Sequence, residues 1–377
     1  MKIFINGISA IQGGGVTYLN AFLKHFLNYN GIYIEVWGFS KIDKNLLTNH
    51  NLKVNPLENV HENFFKRYYV EKFQISKYLK NNFFDIVFFP GGTITSKAPK
   101  QSVSVTMFRN MLPFNRAFFQ YYGFSFRSLR LFLLKYRFLS SYRKADSIIF
   151  ISKYARSIIE ERIPLIKNKS VVIPHGFNKN FKIKREKNSD IFFVYISIYT
   201  NYKHQKEIVE AAKIFKNKHG YSPKIKMYGY KLGNYKNELI KLVEKYNLLK
   251  YIQINDSLEF NEIPKIYSES SYIIFASSCE NCPNILLESM ATGVPILCSN
   301  VMPMPEFLGN KGIYFDPYNP NSISNSFEKV LLKGSNYENY SEYLLKKSKS
   351  YSWSLTFEKT YNYFNQLKKN ETDYSES

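Results

Sequence analysis

Two pairs of reactive side chains share one short stretch of this sequence, SSCENCPNILLESMATGVPILC at residues 277–298. Glu280 and Glu288 are eight positions apart, and Cys279 and Cys282 have a C-x-x-C spacing. Carboxylates only accept hydrogen bonds, so the glutamates suit a ligand that carries hydroxyl groups. Thiols suit redox chemistry or a metal. The chemistry depends on which pair the surrounding chain positions for use.

The residues around the glutamates predict a strand, a loop and a helix. An apolar run at 272–275 precedes Glu280, and good helix formers at 284–292 contain Glu288. The first amides of a helix have no intrahelical partner, which suits a phosphate or a sugar hydroxyl. These amides belong to Cys282, Asn284 and Ile285. We therefore expect the carboxylates to flank a ligand with hydroxyls at both ends and a diphosphate between them.

The cysteine pair is the alternative. A redox C-x-x-C also sits at the start of a helix behind a strand, but the thioredoxin-like context expects a small domain with the motif near its beginning. Zinc needs four ligands, and the remaining cysteine, Cys298, has no histidine close to it in the sequence. Three cysteines make no disulfide framework, which favours a reducing cytoplasm.

Short apolar runs alternate with helical periodicity along the chain. Strands are predicted at 2–6, 32–37, 85–89, 147–151, 191–196, 224–228, 252–254, 272–275 and 295–298. Helices are predicted from residues 16 and 152, at 205–215, 237–246 and 284–292, and from about residues 323 and 356. This alternation predicts an α/β fold with doubly wound parallel sheets, which bind ligands at the carboxyl ends of their strands.

The chain is long enough for two domains, because 377 residues exceed what one hydrophobic core usually supports. The segment at 171–190 begins apolar and turns polar and basic, as a linker does. We place the first domain at 1–180 and the second at 181–355. Residues 368–377 have no apolar periodicity and are predicted to be disordered.

The net charge of +22 indicates an anionic partner, although the abundance of Lys, Asn, Ile and Tyr is also typical of a biased genome. Nucleic acid and an anionic membrane surface are the two candidates. No run of about 18 uncharged apolar residues occurs, which argues against a transmembrane helix. The N-terminus lacks the long apolar region of a signal peptide, so we expect a cytoplasmic protein.

The sequence around the two glutamates closely resembles that of a known family. ENCPNILLESMATGVP at 280–295 is similar to the E-x7-E segment of retaining glycosyltransferases of the GT-B fold, family 4. The likeness spans most of the chain, through ADSIIFISKYA at 145–155, VIPHG at 172–176, PEFLG at 305–309, IYFDP at 313–317 and YSWSLTF at 351–357. It implies two Rossmann-like domains that face a central cleft, with the acceptor bound by the first and the donor by the second. It also implies that a terminal helix at 356–367 returns to the first domain.

The resemblance implies a role for each matching residue. Glu280 falls on the position that contacts the donor sugar, and Glu288 on the position that contacts the nucleotide ribose. Lys203 matches a lysine that contacts the donor diphosphate. Ser197 stands where the family usually has an arginine, so the chain has one cation fewer at this place. Either Lys206 or the helix amides near Asn284 must then compensate.

The first domain supplies the remaining implied contacts. Gly13, Gly14 and Gly15 match a glycine loop close to the diphosphate and the acceptor, although a tight strand-to-helix turn explains them equally well. The stretch at 103–114 lies where many members have a histidine, and Arg109 or Asn110 is the substitute. His175 is interpreted as a hinge residue. In the second domain, nucleobase contacts are expected from Tyr228, Gly229 and Asp256.

These roles predict a hexosyltransferase-type enzyme that uses a nucleotide sugar and a saccharide or lipid-linked acceptor in cell-surface polysaccharide or lipopolysaccharide synthesis. No D-x-D sequence occurs, so we expect neither a metal nor another cofactor. Two alternatives remain. One is a non-catalytic basic protein that binds nucleic acid or membrane. The other is a GT-B nucleotide-sugar epimerase, which would need an acid and a base that we do not find in the first domain.

A basic and aromatic segment at 116–144 predicts a further partner. It interleaves Arg and Lys with Phe, Tyr and Leu at helical spacing, which is typical of a helix that lies on a membrane surface. A long helix with its apolar side in the core is the competing interpretation. We expect anionic lipid to face Arg127, Arg130, Lys135, Arg137, Arg143 and Lys144, and peripheral association with the inner face of the cell membrane. No nucleic acid is expected, because no recognised binding motif accompanies the charge.

Overall fold

A computed structural model describes residues 1–11, 13–57, 60, 63–115, 123–181, 190–231, 233–332 and 337–375. The chain forms two compact units. Unit 1 consists of Met1–Gly176 and Trp353–Ser377, and unit 2 of Phe177–Ser352. The sequence had placed the two divisions after residues 180 and 355.

Unit 1 is built on a parallel sheet. Its strands are β1 (Lys2–Asn6), β2 (Tyr33–Trp37), β3 (Leu52–Asn55), β4 (Ile86–Phe89), β5 (Val103–Phe108), β6 (Ser147–Phe150) and β7 (Ser170–Val172). The strand order is β3-β2-β1-β4-β5-β6-β7, and every neighbouring pair is parallel. The order changes direction between β1 and β4, and such a switch point opens a crevice beyond the ends of the strands.

Helices cover both faces of this sheet. They are α1 (Gly14–Phe26), α2 (Phe64–Tyr69), α3 (Ile75–Asn81), α4 (Phe126–Lys144) and α5 (Lys153–Glu160), and a π-helical turn at Val70–Gln74 joins α2 to α3. On one face Phe22 of α1 contacts Phe88 of β4, with 5.6 Å between the ring centres. On the other face Phe4 and Phe89 pack in one cluster with Val70. The strands are apolar on both sides because both faces are covered.

Unit 2 repeats this architecture. Its strands are β8 (Phe192–Ile196), β9 (Lys224–Tyr228), β10 (Ile252–Asn255), β11 (Tyr272–Phe275), β12 (Ile296–Ser299) and β13 (Ile313–Phe315), in the order β10-β9-β8-β11-β12-β13 and all parallel. Its helices are α6 (Gln205–His219), α7 (Tyr235–Lys245), α8 (Ile263–Glu269), α9 (Asn284–Thr292), α10 (Met304–Leu308), α11 (Pro320–Leu331) and α12 (Glu338–Ser348). The order changes direction between β8 and β11, so this switch point lies beside the loops that follow those two strands.

The last helix, α13 (Trp353–Ser375), belongs to unit 1. Phe357 and Phe364 of α13 pack against Phe22 and Phe26 of α1. The helix is longer than the predicted 356–367 and includes residues 368–375, for which disorder was expected. No Gly or Pro interrupts it, and Lys368 pairs with Asp85 of unit 1 at 3.1 Å, which holds the chain in place beyond the predicted end.

Candidate functional site

An ion pair joins the loops that follow β8 and β11. Lys203 ends a short 3-10 turn after β8, and Glu280 lies in the loop between β11 and α9. The Lys203 ammonium donates a hydrogen bond to the Glu280 carboxylate. Lys203 is only 8% exposed, and its Nζ lies 5.6 Å from the ring centres of Tyr202 and Phe275. The structure thus brings together two residues that the sequence assigned to chemistry.

Further hydrogen bonds hold the two loops to each other. His204 Nε2 lies 2.8 Å from the Ser278 hydroxyl, and the Ser278 amide donates to the Tyr202 carbonyl at 2.9 Å. From strand β8, the Tyr195 hydroxyl donates a hydrogen bond to the Lys203 carbonyl at 2.7 Å. The main chain on both sides of the ion pair is therefore fixed before any ligand arrives.

His204 itself is a residue that the sequence analysis did not select. It is 1% exposed and has a left-handed backbone with φ of 55°, a conformation that His adopts more readily than most residues. Its Nδ1 lies 3.3 Å from the Glu207 carboxylate, and its ring meets Tyr318 edge-on at 4.7 Å. The position directly after Lys203, before the first residue of α6, was the only signal in the sequence.

Ser197 is engaged by a neutral neighbour. The Gln205 side-chain amide donates to the Ser197 hydroxyl at 2.8 Å and to the Ile198 carbonyl at 2.9 Å, and Gln205 is fully buried. Gly229 approaches the same place from β9, because a Cβ atom there would lie 1.8 Å from the Ser197 carbonyl oxygen. The alternative cation, Lys206, is exposed on α6. Ser197, which stands where the family resemblance predicts an arginine, is thus hydrogen-bonded to Gln205. Neither residue supplies a cation.

Glu288 is a buried carboxylate on the second turn of α9. It is 8% exposed, and burial raises the pKa of its carboxyl group to about 8. The N-terminus of α9 has no side-chain cap: the Pro283 carbonyl accepts from the amides of Leu286 and Leu287, and Asn284 and Ile285 form the first turn. A helix start of this kind attracts an anion through its dipole and amides.

The residues expected near a nucleobase lie at the end of β9 and directly after β10. Tyr228 ends β9 as a half-buried residue, and burial raises the pKa of its hydroxyl. Asp256 is exposed after β10 and accepts from the Lys236 ammonium at 2.6 Å. That hydrogen bond holds the pKa of Asp256 below its ordinary value. Lys236 was not foreseen, because its partner is twenty positions away in the chain.

The two cysteines of the C-x-x-C are half-buried and form no disulfide. Cys282 precedes α9 and Cys279 precedes Glu280, whereas Cys298 is buried in β12. Within the described residues, no group of three or more His, Cys, Asp or Glu side chains is placed to hold a metal ion.

In unit 1 the glycine loop lies beside Arg109. Gly13 is the N-cap of α1 and has φ of 60°, which favours glycine, and Gly14 begins the helix. A Cβ atom on Gly15 would lie 3.9 Å from an Arg109 guanidinium nitrogen. The guanidinium lies 5.1 Å from the ring centre of Tyr18, and burial lowers its pKa. Arg109 therefore faces the loop from the end of β5.

The other two candidates of unit 1 have different surroundings. The exposed Asn110 accepts a hydrogen bond from the Leu112 amide at 3.1 Å, so its side chain forms a local turn. His175 is buried and stacks on Tyr18, with 5.3 Å between the ring centres. Trp353 lies 5.4 Å from its ring. His175 thus packs among aromatic residues directly before the division between the units.

Comparison with known proteins gives two family matches and several similar structures. Residues 176–347 match the family of glycosyl transferases group 1, and residues 12–181 match glycosyltransferase family 4. A stretch of 129 residues is 29% identical to O-antigen chain mannosyltransferase B of Escherichia coli and covers 34% of each chain, so the match spans a third of that relative's length.

Two solved structures are similar over nearly the whole chain. A glycosyltransferase from Rickettsia africae has a TM-score of 0.72 at 18% identity and covers 98% of this chain and 99% of its own. The HepE protein of Anabaena has a TM-score of 0.71 at 14% identity and covers 97% of this chain and 100% of its own. The predicted GT-B fold is confirmed by these similarities together with the two parallel sheets.

Proposed function

We propose that this chain, which belongs to the group 1 and family 4 glycosyltransferases, transfers a hexose from a nucleotide sugar to a saccharide or lipid-linked acceptor with retention of anomeric configuration. The observation that carries the proposal is the ion pair between Lys203 and Glu280 at the switch point of the second sheet. It lies where an open α/β sheet binds its ligand. It also combines one cation for a diphosphate with one carboxylate for sugar hydroxyls.

In this proposal Lys203 and the start of α9 receive the departing diphosphate. The bond between the sugar C1 atom and the phosphate oxygen breaks, and positive charge develops on the ring. The acceptor hydroxyl forms its new bond to C1 on the same face, and its proton passes to the departing phosphate. Lys203 and the amides at the start of α9 stabilise the negative charge that grows on the diphosphate.

Glu280 and Glu288 recognise the two ends of the donor. Glu280 accepts hydrogen bonds from hydroxyls of the transferred sugar, and Lys203 exchanges this carboxylate for the diphosphate when the donor binds. Glu288 accepts hydrogen bonds from the ribose hydroxyls. Donor binding supplies hydrogen bonds to this buried carboxylate, and such bonds favour its charged form.

Arg109 and the glycine loop serve the reaction from the acceptor side. Arg109 is half-buried, and its buried Nε has no hydrogen-bond partner among the described residues, so the guanidinium retains donor capacity for a phosphate or hydroxyl oxygen. Gly13, Gly14 and Gly15 allow a ligand to approach the backbone closely. With Lys203 and the amides at the start of α9 on the diphosphate, the proposed reaction needs no divalent metal.

The donor classes to test first come from the similar proteins. HepE has been solved with UDP and with UDP-glucose, and the Escherichia coli relative is a mannosyltransferase of the O-antigen chain. We therefore place the chain in cell-surface polysaccharide or lipopolysaccharide synthesis, at the cytoplasmic face of the membrane.

The test is a panel of UDP-, GDP- and ADP-linked hexoses added to the purified chain. A donor that binds only the folded state raises the melting temperature, so one nucleotide class should do so. NMR of the product should show the anomeric configuration of the donor. The rate of sugar transfer should be the same with and without EDTA. An inverted product would overturn retention, and a rate lost in EDTA would overturn metal independence. No melting shift and no turnover with any donor would overturn the proposal as a whole.

A further inference from the structure

Helix α4 leaves much of its apolar surface in solvent. Phe126 is 83% exposed and Leu133 is 55% exposed. Four further apolar residues in or just before the helix are also exposed: Phe124, Leu129, Phe132 and Tyr136. A helix that only covers a sheet buries its apolar side chains, as α4 does with Leu131, Phe138 and Tyr142. The exposed set is therefore in excess of what packing on unit 1 requires.

Cations occupy the same exposed part of α4. Arg127, Arg130 and Arg137 are exposed between the apolar residues, and α4 contains no acidic residue. Lys135 is half-buried, and Arg143 and Lys144 are exposed at the far end. Residues 116–122, the beginning of the segment that the sequence singled out, lie outside the described residues. The described part alone combines exposed rings, leucines and arginines.

A second segment, which the sequence analysis did not select, has the same character. In α2 and the π-helical turn after it, Phe65 is 80% exposed. Tyr68, Tyr69 and Phe73 are also exposed, and Lys66 and Lys72 accompany them. The Lys72 ammonium lies 5.1 Å from the ring centre of Tyr68. Glu71, the acidic residue of this segment, is turned inward, where it is buried and paired with Arg67 at 3.1 Å.

The two segments lie on the same face of the first sheet. Phe89 packs with Val70 and Ile75 after α2, and Phe89 is the register partner of Thr106 in β5. Phe108, two residues further along β5, points to the same face and contacts Phe138 of α4 at 6.3 Å. Both helices therefore pack on the side opposite to α1.

The segment between β4 and β5 is hydrogen-bonded to α4 and to the π-helical turn and α3, which continue from α2. The Ile94 amide donates to the Ser141 hydroxyl of α4 at 2.9 Å. The Lys97 amide donates to the Ser76 hydroxyl of α3 at 2.9 Å, and the Ser96 hydroxyl donates to the Glu71 carbonyl. One short segment thus links α4 to the helical stretch that begins with α2.

Both exposed segments begin near the carboxyl edge of the sheet. Helix α2 follows β3 and helix α4 follows β5 in the chain, and all strands of this sheet are parallel. Their first turns therefore begin at the edge at which β1 and β5 end. This edge carries Gly13 to Gly15 and Arg109, the residues proposed to face the acceptor.

Charge and chemistry select one occupant for this surface. A second copy of the chain related by a two-fold axis would place the same patch against itself, which sets arginines and lysines against each other. Nucleic acid would be attracted by the cations, but its charged backbone does not bury aliphatic side chains such as the exposed Leu129 and Leu133. An anionic bilayer matches both features, because its phosphates attract cations and its headgroup region accepts aromatic and aliphatic side chains.

We propose that the exposed residues of α2, its π-helical turn and α4 form one lipid-binding surface, which docks unit 1 on an anionic bilayer beside its acceptor edge. Binding of lipid needs no sugar transfer, so this proposal stands apart from the proposed reaction. Among the described helices none is long and apolar enough to cross a bilayer, and the docking is peripheral.

The experiment is flotation of the full chain with vesicles of phosphatidylcholine alone or mixed with phosphatidylglycerol, at rising salt. We expect binding only to the mixed vesicles and release by salt, because surface cations are screened. One variant carries Arg127→Glu, Arg130→Glu and Arg137→Glu. A second carries Phe65→Ser, Phe126→Ser and Leu133→Ser. Each should reduce binding more than tenfold.

Matched controls place the same changes in unit 2. Lys241→Glu, Lys245→Glu and Lys250→Glu replace exposed lysines, and Tyr221→Ser with Leu249→Ser removes exposed apolar groups. These variants should bind vesicles as the unchanged chain does. Melting temperature and the donor-induced melting shift are measured for every variant, and both should stay unchanged for the lipid-surface variants, since those side chains are exposed.

Four outcomes would overturn the proposal. Equal binding to neutral vesicles would remove the role of the cations, and control variants that lose binding would move the surface to unit 2. If the unchanged chain is a dimer without lipid and the Phe65→Ser, Phe126→Ser and Leu133→Ser variant is a monomer, a second copy of the chain occupies this surface. A lowered melting temperature in both lipid-surface variants would show that these residues stabilise the fold instead.

Discussion

The two units of this protein use charge in opposite ways. Unit 2 buries its candidate site residues Lys203, His204 and Glu288, and hydrogen bonds between loops hold Lys203 and His204. Unit 1 exposes its cations on α2 and α4 beside rings that would ordinarily be inside. Burying a charge is costly unless a partner compensates, so unit 2 must fix its site in advance. Exposed cations on unit 1 need no such support and suit a broad anionic surface.

The largest expected effect comes from breaking the buried ion pair of unit 2. Lys203→Met removes the cation for the diphosphate and leaves the Glu280 carboxylate without its partner. Loss of one stabilising group for the leaving charge typically costs about a hundred- to a thousandfold in kcat. We expect a loss of this size in steady-state transfer assays.

A surface ion pair provides the control. Lys218 pairs with Glu328 at 2.8 Å and is exposed, so Lys218→Met should retain nearly full activity, since exposed pairs contribute little. Equal losses in the two variants would mean that the Lys203 effect comes from general destabilisation.

The next effect concerns the buried carboxyl group of Glu288. Burial raises its pKa from 4.5 to about 8. Its contribution to stability is therefore complete below pH 4.5 and is lost as the pH rises through about 8. A shift of this size corresponds to a few kcal/mol, as an order of magnitude. In Glu288→Gln, the free energy of unfolding should fall less over this range.

Urea unfolding at several pH values measures this difference. Glu244→Gln, at an exposed position of α7, serves as the control and should follow the unchanged chain. Parallel pH profiles for Glu288→Gln and the unchanged chain would show that the folded protein does not hold Glu288 in its neutral form.

A smaller effect is expected at His204, which joins the loops of Lys203 and Glu280. His204→Ala loses the hydrogen bond to Ser278, worth about 1 kcal/mol, and keeps a left-handed backbone that alanine tolerates poorly. We expect kcat/KM to fall about tenfold. Asparagine accepts this backbone conformation and can hydrogen-bond, so His204→Asn should recover most of the loss.

Donor binding distinguishes positioning from folding in these two variants. If His204 positions Lys203, His204→Ala should lower kcat, while the rise in melting temperature on donor binding should stay close to that of the unchanged chain. A loss in His204→Asn as large as that in His204→Ala would argue against the hydrogen bond to Ser278 as the cause.

The smallest effect is expected for the cysteines. Cys279→Ser with Cys282→Ser nearly keeps the size of two half-buried side chains and should change transfer activity by less than about twofold, because no step of the proposed reaction uses a thiolate. The same assay under reducing and oxidising conditions checks this. Abolished activity in the double variant would restore the redox or metal interpretation of the C-x-x-C.

Local patterns were sufficient for most of the regular elements. The strands at 2–6, 224–228 and 272–275 and the helix at 284–292 have the predicted bounds. Four strands were not predicted, β3, β5, β7 and β13, and the helices between 64 and 81 were also missed. β7 and β13 have three residues each, and so short a run has no periodicity to recognise. Their conformation is stabilised by neighbouring strands.

The α/β class, the family resemblance and the candidate residues could all be predicted from the sequence, because each depends on patterns among residues close together in the chain. The roles assigned to the individual site residues remain predictions. Which of these residues contact one another is visible only in the folded chain. Lys203 and Glu280 are 77 positions apart, and His204 and Ser278 are 74 apart. The placement of α2 and α4 on one face likewise depends on the sheet, in which β2, β1 and β4 lie between the strands that the two helices follow. Such contacts arise because parallel strands need long crossover connections, which bring distant residues to one edge of a sheet without leaving any local pattern in the sequence.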